Sequence, residues 1–348
     1  MSAPDYYETI AVSSRLRLAR NFADYPFPGR LLRDKHAEEQ ADEIIRLVGA
    51  QLGAIDAFKL YEMSVISDVT AAYLVERNLI SRDLLKHRKI SAAFVHQDEN
   101  ISVMVNEEDH IREQYFTKGF DLKGAYERIC GIDDAICESL PFAYDERLGY
   151  LTACPTNLGT GLRASVMLFL PALSRRGILQ GLYPDFTRRG LAVRGSLGEG
   201  SGSEGDLFQI SNEVTLGRSE DEILRVVIKS VKFLAEFETR ERENLKKEGG
   251  IRLKDSVMRA YGILTNACRV EAKEFETLIT QLKLGVALGY FGGDDRKDDR
   301  MAELGDLAVE MRPAGLDRLN GEPLSVEEQN EFRAECAARK IRKMELIR

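Results

Sequence analysis

The chain changes character at the pair Gly249-Gly250, and this change limits the folds that it can adopt. Before the pair, short stretches that alternate between apolar and polar residues lie among stretches with apolar residues at helical spacing. After the pair, residues 252–348 have helical periodicity. Consecutive glycines commonly end helices, because glycine adopts left-handed backbone conformations at little cost. The sequence therefore predicts an α+β domain over residues 1–249 and an all-helical domain over residues 250–348.

The two periodicities also predict the elements of the first domain. The expected helices span residues 34–52, 68–78 and 122–140, and the expected strands span residues 13–20, 58–66, 90–95, 101–105, 162–170, 191–194 and 207–215. The segment Ser219–Glu222 is a capping box, which opens a long amphipathic helix that we expect to end at Gly249-Gly250. The alternation of residues 13–20 is typical of a strand at the edge of a sheet, with arginines on one face.

Composition narrows the class of protein. The 348 residues are 44% hydrophobic and 30% charged, which is ordinary for a globular protein. No apolar run approaches the ~20 residues that span a bilayer, and the polar start of the chain does not resemble a signal peptide. We therefore expect a cytoplasmic protein. The net charge of −8 disfavours general nucleic-acid binding, and five cysteines without close pairing argue against a structural metal site or disulfide framework.

The segment from Thr152 to Ser165 combines residue types that suit close contact with a ligand. It contains a thiol at Cys154, two glycines and a guanidinium at Arg163, and it runs into an apolar strand. Glycine permits close backbone contact, a cysteine offers a thiolate, and arginine offers five donors in a fixed geometry. A tight turn with a buried cysteine is an equally good interpretation of this segment alone.

Arginines recur at predicted strand edges and loop mouths elsewhere in the chain. Arg15 and Arg17 lie two residues apart on one predicted strand and therefore share a face. Arg112 ends an acidic turn, and Arg194 precedes a glycine-rich loop at residues 195–206. Most arginines are solvated surface residues. A polyphosphate that is bound without a Walker loop, however, needs several directional arginine contacts, and no Walker or dinucleotide-binding glycine motif is present.

Carboxylates accompany these arginines at two places. Glu107, Glu108 and Asp109 follow a predicted strand, and Glu199 lies within the glycine-rich loop. A solvated acidic turn is the ordinary interpretation of the first group. Beside a cluster of arginines, the same carboxylates could hold and polarise a cationic nucleophile.

Four segments together resemble the phosphagen kinases, the superfamily of arginine and creatine kinases. They are SSRLRLAR (13–20), NEEDHIR (106–112), CPTNLGTGLRASV (154–166) and VRGSLGE (193–199). The resemblance implies a catalytic domain with a mostly antiparallel sheet flanked by helices, with ATP and Mg²⁺ as cofactors. It implies catalytic roles for Glu108, Glu199 and Cys154. The nucleotide-binding residues that it implies are Ser13, Ser14, Arg15, Arg17, Arg112, Arg163, Ala164, Ser165, Arg194 and Gly195.

Within the superfamily, the chain resembles the bacterial protein arginine kinases. The first motif starts at residue 13, so the helical domain that precedes it in kinases of free guanidino compounds is expected to be missing. Met167 stands where those kinases usually have histidine. The resemblance implies protein substrates with exposed arginines, among them a heat-shock repressor, in the stress response and protein quality control. It also implies an activator protein, a Clp-type protease, and a homodimer formed through the C-terminal domain.

Two departures from the family pattern put specific properties in doubt. Gln329-Asn330 replaces the Arg-Asp half of a motif that is thought to read phosphoarginine, so feedback by phosphoarginine is doubtful. Asn78 replaces the histidine that stacks on adenine, which weakens the expected nucleotide affinity. Two other functions stay open: a kinase of free arginine or a similar small guanidino compound, and a catalytically silent adaptor with the same fold.

Overall fold

A computed structural model of the chain describes residues 9–31, 37–195, 198–199, 204–291, 297–344 and 346. It contains a large antiparallel sheet and a small hairpin. The strands are β1 (Ala11–Arg20), β2 (Phe58–Glu62), β3 (Ala92–His96), β4 (Ile101–Val105), β5 (Ile111–Lys118), β6 (Tyr144–Asp145), β7 (Gly149–Tyr150), β8 (Leu162–Phe169), β9 (Leu191–Gly195), β10 (Gly198–Glu199) and β11 (Leu207–Asn212).

Helices follow or separate these strands and make up the C-terminal region. They are α1 (Pro28–Leu31), α2 (Ala37–Ile55), α3 (Asp68–Glu76), α4 (Leu122–Cys137), α5 (Pro171–Arg175), α6 (Ile178–Arg188), α7 (Glu220–Asn266), α8 (Ala272–Ala287), α9 (Lys297–Glu310), α10 (Pro313–Asn320) and α11 (Val326–Lys343). The predicted capping box is present, since the Ser219 hydroxyl accepts from the Glu222 amide and the Glu222 carboxylate accepts from the Ser219 amide.

The large sheet has the strand order β10-β9-β11-β8-β1-β5-β4-β3-β2. Its neighbouring strands pair antiparallel throughout, which confirms the predicted fold class. The prediction of β1 as an edge strand was wrong, because β1 pairs with β8 on one side and β5 on the other. Its alternation arises because one face of the sheet is packed and the other carries polar residues, a pattern that an interior strand shares with an edge strand.

One face of the sheet is apolar and forms the main core against the helices. Side chains on β1, β8 and β11 point into this core, where they meet residues of α4, α6 and α7. The members from these three strands are Ala11, Leu16, Leu18, Leu162, Ala164, Val166, Leu168, Phe208 and Ile210. Because successive side chains alternate in direction, the residues between them project from the opposite face of the sheet.

Two groups of side chains cover parts of that opposite face. Ala93, Val95 and Met104, on β3 and β4, pack with Leu74 of α3. At the other end, Phe169 of β8 joins the core of the C-terminal helices. These contacts border the middle of the sheet on its polar side.

The C-terminal helices continue directly from the sheet domain through α7. The expectation that this helix ends at Gly249-Gly250 was wrong in one respect: helical structure resumes after a kink at Gly250, whose φ is 47° and ψ −136°. The backbone there is left-handed, which only glycine adopts at little cost. The domain boundary near residue 249 remains a prediction.

The C-terminal helices pack around a core of their own. Five apolar positions of the C-terminal region fit either a dimer interface or intramolecular packing when only the sequence is considered. Val257, Leu264, Leu282 and Leu284 are buried in this core, and the partly buried Leu278 packs against it. The four buried residues are therefore used within one chain. No helix of the described residues is long and apolar enough to cross a membrane.

Candidate active site

The register of the sheet places four of the five predicted arginines on the polar face of three neighbouring strands. Arg17 lies directly opposite Arg163 of β8 and opposite Gln114 of β5. Arg15 and Arg112 lie two residues from Arg17 and Gln114 respectively. Residues opposite each other, or two apart on one strand, share a face. The sheet therefore gathers Arg15, Arg17, Arg112 and Arg163.

The fifth arginine lies on the same face farther along the sheet. Arg194 of β9 is opposite Gln209 of β11, and Gln209 is opposite Met167 of β8. Met167 lies four residues after Arg163 on one strand, so both share a face. Arg194 approaches Glu213, with 3.5 Å between Nη2 and Oε1. We call these five residues the arginine face.

Like charges crowd the arginine face. The pKa of Arg15 is lowered to about 10, mainly by burial and also by the positive charge of Arg112. Burial lowers the pKa of Arg17 well below its usual value, and the charges of Arg15 and Arg112 lower it further. A bound polyanion would relieve this repulsion. The electrostatics of the face thus favour an anionic ligand.

Several guanidinium groups on this face have donors without acceptors. The Nε of Arg17 and both Nε and Nη2 of Arg163 are buried and have no hydrogen-bond partner in the described part of the chain. Buried donors are rarely left unsatisfied, because each costs about 1–3 kcal/mol. Phosphate oxygens would satisfy them with charge-assisted bonds. The donor set therefore fits a polyphosphate.

Arg112 is held in place by a buried carboxylate. Its Nη1 donates to both oxygens of Glu107, at 3.1 and 2.8 Å. Glu107 is buried and also accepts from the Ser81 hydroxyl. Glu107, the first carboxylate of the acidic turn, therefore anchors Arg112. Glu108, the second carboxylate, takes no part in this anchor.

The second carboxylate of the turn, Glu108, meets the predicted cysteine. Glu108 is exposed, unlike Glu107 and Asp109. Partial burial raises its pKa, and so does the charge of Asp109, whereas a hydrogen bond from the Cys154 thiol lowers it. The Cys154 sulfur also lies 3.1 Å from the Thr156 hydroxyl. An open carboxylate beside a thiol can hold a cation and accept a proton.

Asp109 fixes this pair, and its role was missed in the sequence. Its Oδ1 accepts from Asn21 Nδ2 at 2.6 Å and from the Ala153 amide at 2.7 Å. The Asn21 side-chain oxygen Oδ1 accepts from the His110 backbone amide at 2.9 Å. The end of β1, the acidic turn and the loop that carries Cys154 are thus tied together. Asn21 directly follows the predicted arginine strand, but nothing in its spacing indicated this contact.

The buried side chain of Arg20 contacts the C-terminal end of the loop that carries Cys154. Arg20 Nη1 donates to the Thr160 carbonyl at 2.9 Å, and its Nη2 lies 2.9 Å from Asp133. Its guanidinium also lies 3.6 Å from the centre of the Tyr150 ring. Gly161 has a φ of +63°, and a Cβ there would lie 2.6 Å from Arg20 Nη1. Glycine is therefore required where the loop enters β8.

Two of the predicted nucleotide-binding serines, Ser13 and Ser165, lie on the same face of the sheet as the five arginines. Ser13 lies opposite Met167, and Ser165 lies opposite Arg15. The Ser165 hydroxyl donates to the Arg15 carbonyl at 3.1 Å. Their side chains therefore share the face with the arginines.

Three other predicted nucleotide-binding residues are not brought to the arginine face. The Ser14 side chain points the other way, where its hydroxyl donates to the Gly119 carbonyl at 2.9 Å. Ala164 is buried in the apolar core on that same side. Gly195 pairs with Phe208 and offers only its backbone. The Ser14 and Ala164 side chains are turned away from the arginine face because neighbours in a strand face opposite ways, and nucleotide binding by these two residues stays a prediction.

The third predicted catalytic residue, Glu199, lies in β10. Its backbone pairs with Arg194 of the arginine face. The structure does not describe the position of the Glu199 carboxylate. Residues 196–197 and 200–203 of the glycine-rich loop also lie outside the described residues. A catalytic role for Glu199 therefore remains a prediction.

The two departures from the family pattern have structural explanations. Asn78 has a φ of 58°, which asparagine tolerates better than most residues, and its carbonyl accepts from Gln114 Nε2 at 2.9 Å. Arg333 is buried, and it donates to the Met311 carbonyl and to Asn330 Oδ1 at 2.9 and 2.8 Å. Arg333, which belongs to the retained half of the motif, thus holds the C-terminal helices together.

Across the described residues, no group of three or more His, Cys, Asp or Glu side chains could hold a metal ion.

Comparison with known families accounts for most of the chain. Residues 40–241 match the family described as ATP:guanido phosphotransferase, C-terminal catalytic domain. Residues 250–346 match the family described as protein-arginine kinase McsB C-terminal domain. The two matches cover strands β2 to β11 and the C-terminal helices, whereas β1 precedes the first match.

Individual proteins agree with these matches. A protein-arginine kinase of Caldanaerobacter subterraneus subsp. tengcongensis is 40% identical over 345 residues, which are 98% of this chain and 99% of the relative. A duplicated taurocyamine kinase of Schistosoma mansoni, solved with transition-state analogue components, has a TM-score of 0.60 and 27% identity. The match covers 74% of this chain and 38% of that chain. A lombricine kinase structure has a TM-score of 0.58 and 25% identity, with 71% and 72% of the two chains covered.

Proposed function

Because the chain belongs to the ATP:guanido phosphotransferase family, we propose that it phosphorylates arginine side chains of proteins with ATP. The observation that carries the proposal is the position of the Glu108–Cys154 pair beside five arginines that share one face. One half of this site fits a polyphosphate, and the other half fits a guanidinium. The C-terminal domain, which matches that of protein-arginine kinases, supports a protein as the acceptor.

The arginine face would bind and align the triphosphate. Arg17 and Arg163 have buried donors that lack acceptors, and Arg15 and Arg112 add positive charge next to them. Mg²⁺ bound with ATP supplies further charge neutralisation at the transferring group. Phosphoryl transfer needs mainly alignment and charge stabilisation, so arginines held on a rigid sheet suit it.

Glu108 and Cys154 would prepare the nucleophile. A guanidinium is a poor nucleophile, because its nitrogen lone pairs are delocalised in a cation. The Glu108 carboxylate would localise that charge and accept the proton released as the N–P bond forms and the P–O bond to ADP breaks. The Cys154 thiol, which lowers the pKa of the adjacent Glu108, would orient the guanidinium without becoming phosphorylated. Glu199 would hold the guanidinium from another side.

The test of this proposal compares acceptors for the same enzyme. We expect ADP release with ATP, Mg²⁺ and an arginine-rich protein to exceed release with free arginine at equal arginine concentration. The relative named above, which acts on protein arginine by name, supports this expectation. Faster turnover of free arginine would favour the small-molecule kinase instead. No transfer to either acceptor would favour the silent adaptor.

The cellular setting is part of the same proposal. We propose a cytoplasmic enzyme of the stress response that modifies a heat-shock repressor and marks proteins for a Clp-type protease, with the help of an activator protein. We further propose a homodimer that uses the C-terminal domain. Since Val257, Leu264, Leu282 and Leu284 are buried within one chain, its interface would consist of residues at the surface of those helices.

A further inference from the structure

One carboxylate joins the C-terminal helices to the sheet domain at the end of α3. Glu76 is the last residue of α3, and its Oε2 accepts from the backbone amides of Ala314 and Gly315 at 3.0 and 3.3 Å. These amides lie in the first turn of α10, where backbone amides lack intrahelical acceptors and favour a negative charge. Arg312 Nη1 donates to the Glu76 carbonyl at 2.8 Å. Glu76 therefore contacts α10 through both its side chain and its backbone.

A second, more exposed contact joins the same two helices. Arg318 of α10 lies over the Tyr73 ring of α3, with 4.0 Å between the guanidinium carbon and the ring centre. Its Nη1 also lies 3.5 Å from Glu99, whose carboxylate accepts from the Tyr73 hydroxyl. Arg318 is 57% exposed, so water screens its charge, whereas the two amides that meet Glu76 belong to buried residues. Glu76 therefore makes the better shielded of the two contacts.

The residues that directly follow Glu76 contact the sheet beside the arginine face. The carbonyls of Asn78 and Leu79 both accept from Gln114 Nε2, at 2.9 and 2.8 Å. Gln114 is buried on β5 and lies directly opposite Arg17. The backbone just after α3 thus fixes the side chain that neighbours Arg17 on the polar face.

The same segment also holds Arg112. The Ser81 hydroxyl donates to the buried Glu107 carboxylate, whose two oxygens accept from Arg112 Nη1 at 3.1 and 2.8 Å. Ser81 lies only five residues after Glu76, and two of the residues between them are buried. Because closely packed interiors leave little room for adjustment, a displacement at one end of such a short segment is felt at the other.

We propose that Glu76 is a positioning residue for the nucleotide, which holds the end of α3 against α10 so that residues 77–81 keep Gln114 and Arg112 in place. This inference rests on the proposed function, in which the arginine face binds ATP. Glu76 would act through Gln114 and Glu107 and not by contact with ATP. The C-terminal helices would thereby strengthen nucleotide binding without supplying a side chain to the site.

The test measures the affinity for a non-hydrolysable ATP analogue by calorimetry. Glu76→Ala should raise the dissociation constant of the analogue and the KM for ATP about tenfold, an effect typical of residues that act through packed networks. The KM for an arginine-rich protein should change less than about twofold. Glu76→Gln keeps an oxygen that can accept from the α10 amides, so it should recover most of the affinity.

Asp306→Asn is the matched control. It removes one carboxylate from another contact between the C-terminal helices and the sheet, the ion pair with Lys118 at 2.9 Å. Lys118 lies at the opposite end of β5 from Arg112. The affinity for the analogue should therefore be unchanged in this variant, although it loses the same charge as Glu76→Gln.

Hydrogen exchange gives a readout that a purely structural role would not change. If the contact at Glu76 strengthens nucleotide binding, the bound nucleotide must strengthen the contact by the same factor. Exchange of the Ala314 and Gly315 amides should therefore slow when the analogue binds to the native protein. The slowing should be smaller in Ser81→Ala, which lacks the hydroxyl that meets Glu107.

Several outcomes would overturn the inference. They are an unchanged analogue affinity in folded Glu76→Ala, an equal loss of affinity in Asp306→Asn, and exchange at residues 314–315 that the analogue does not alter. If Glu76→Ala does not fold, Arg312→Met tests the contact from the other helix, and an unchanged affinity there would overturn the inference as well. Normal transfer to protein arginine in these cases leaves the proposed function intact, whereas a native protein that does not bind the analogue contradicts both.

Discussion

Replacement of Glu108 by glutamine is expected to reduce kcat by about 10²–10⁴-fold, because a positioned general base contributes this much. The amide keeps the size of the side chain and can still accept a hydrogen bond from Cys154. It can neither balance the guanidinium charge nor accept its proton. Since Glu108 is exposed and lies off the arginine face, the stability of the protein and its affinity for ATP should be nearly unchanged.

The measurements are steady-state kinetics, thermal unfolding and calorimetric titration with a non-hydrolysable ATP analogue. Glu127→Gln is the matched control, because Glu127 is exposed on α4 and the change removes the same charge. Turnover within a fewfold of the native value in folded Glu108→Gln protein would remove Glu108 from the mechanism.

The pH dependence gives a second measurement of the same group. Activity requires ionised Glu108, so kcat/KM should fall as the pH falls through its pKa, which lies above the usual 4.5. Asp109→Asn removes a charge that raises this pKa, and the new amide oxygen can still accept from Asn21 and Ala153. The acid limb should therefore move to lower pH. A limb that stays in place would belong to another group.

Replacement of Arg163 by methionine should weaken ATP binding about ten- to hundredfold, since a charge-assisted hydrogen bond is worth about 1.5–3 kcal/mol. Its Nε and Nη2 have no acceptor in the described residues, so the free protein loses no hydrogen bond of those atoms. The reduced repulsion with Arg17, which lies opposite, should leave stability equal or slightly higher.

Calorimetric titration with the ATP analogue measures this effect, and Arg189→Met provides a matched control at an exposed position. Arg163→Lys should recover only part of the affinity, because lysine keeps the charge but lacks the planar donor geometry. An unchanged dissociation constant in Arg163→Met would exclude Arg163 from the nucleotide site.

The sequence was sufficient to predict the fold class and to single out the five arginines that the sheet brings to one face. Alternation places Arg15 and Arg17 on one face of a strand whatever the rest of the fold is. It does not place Arg163 opposite Arg17, because register between strands far apart in sequence is set by the packing of whole faces. That step depended on the family resemblance, which the comparisons confirm.

Features that depend on tertiary contacts were not predictable. A strand pattern does not show whether β1 lies inside the sheet, since an interior strand with one polar face alternates as an edge strand does. The hydrogen bonds from Asn21 and Ala153 to Asp109 join residues that are far apart in sequence. None of these three residues stands out in a sequence pattern by itself. A contiguous motif does not show that the side chains of Ser14 and Ala164 point away from the arginine face, although adjacent strand residues face opposite sides.

The central claim is that this site joins phosphate to arginine nitrogen on a protein. The most direct measurement is mass spectrometry of an arginine-rich protein after incubation with the enzyme, ATP and Mg²⁺, with peptides kept at neutral pH. The account predicts phosphate localised on arginine side chains, lost on acid treatment and absent when Glu108→Gln enzyme is used. Acid-stable phosphate on serine, threonine or tyrosine, or no phosphate in reactions where ATP is bound, would contradict it.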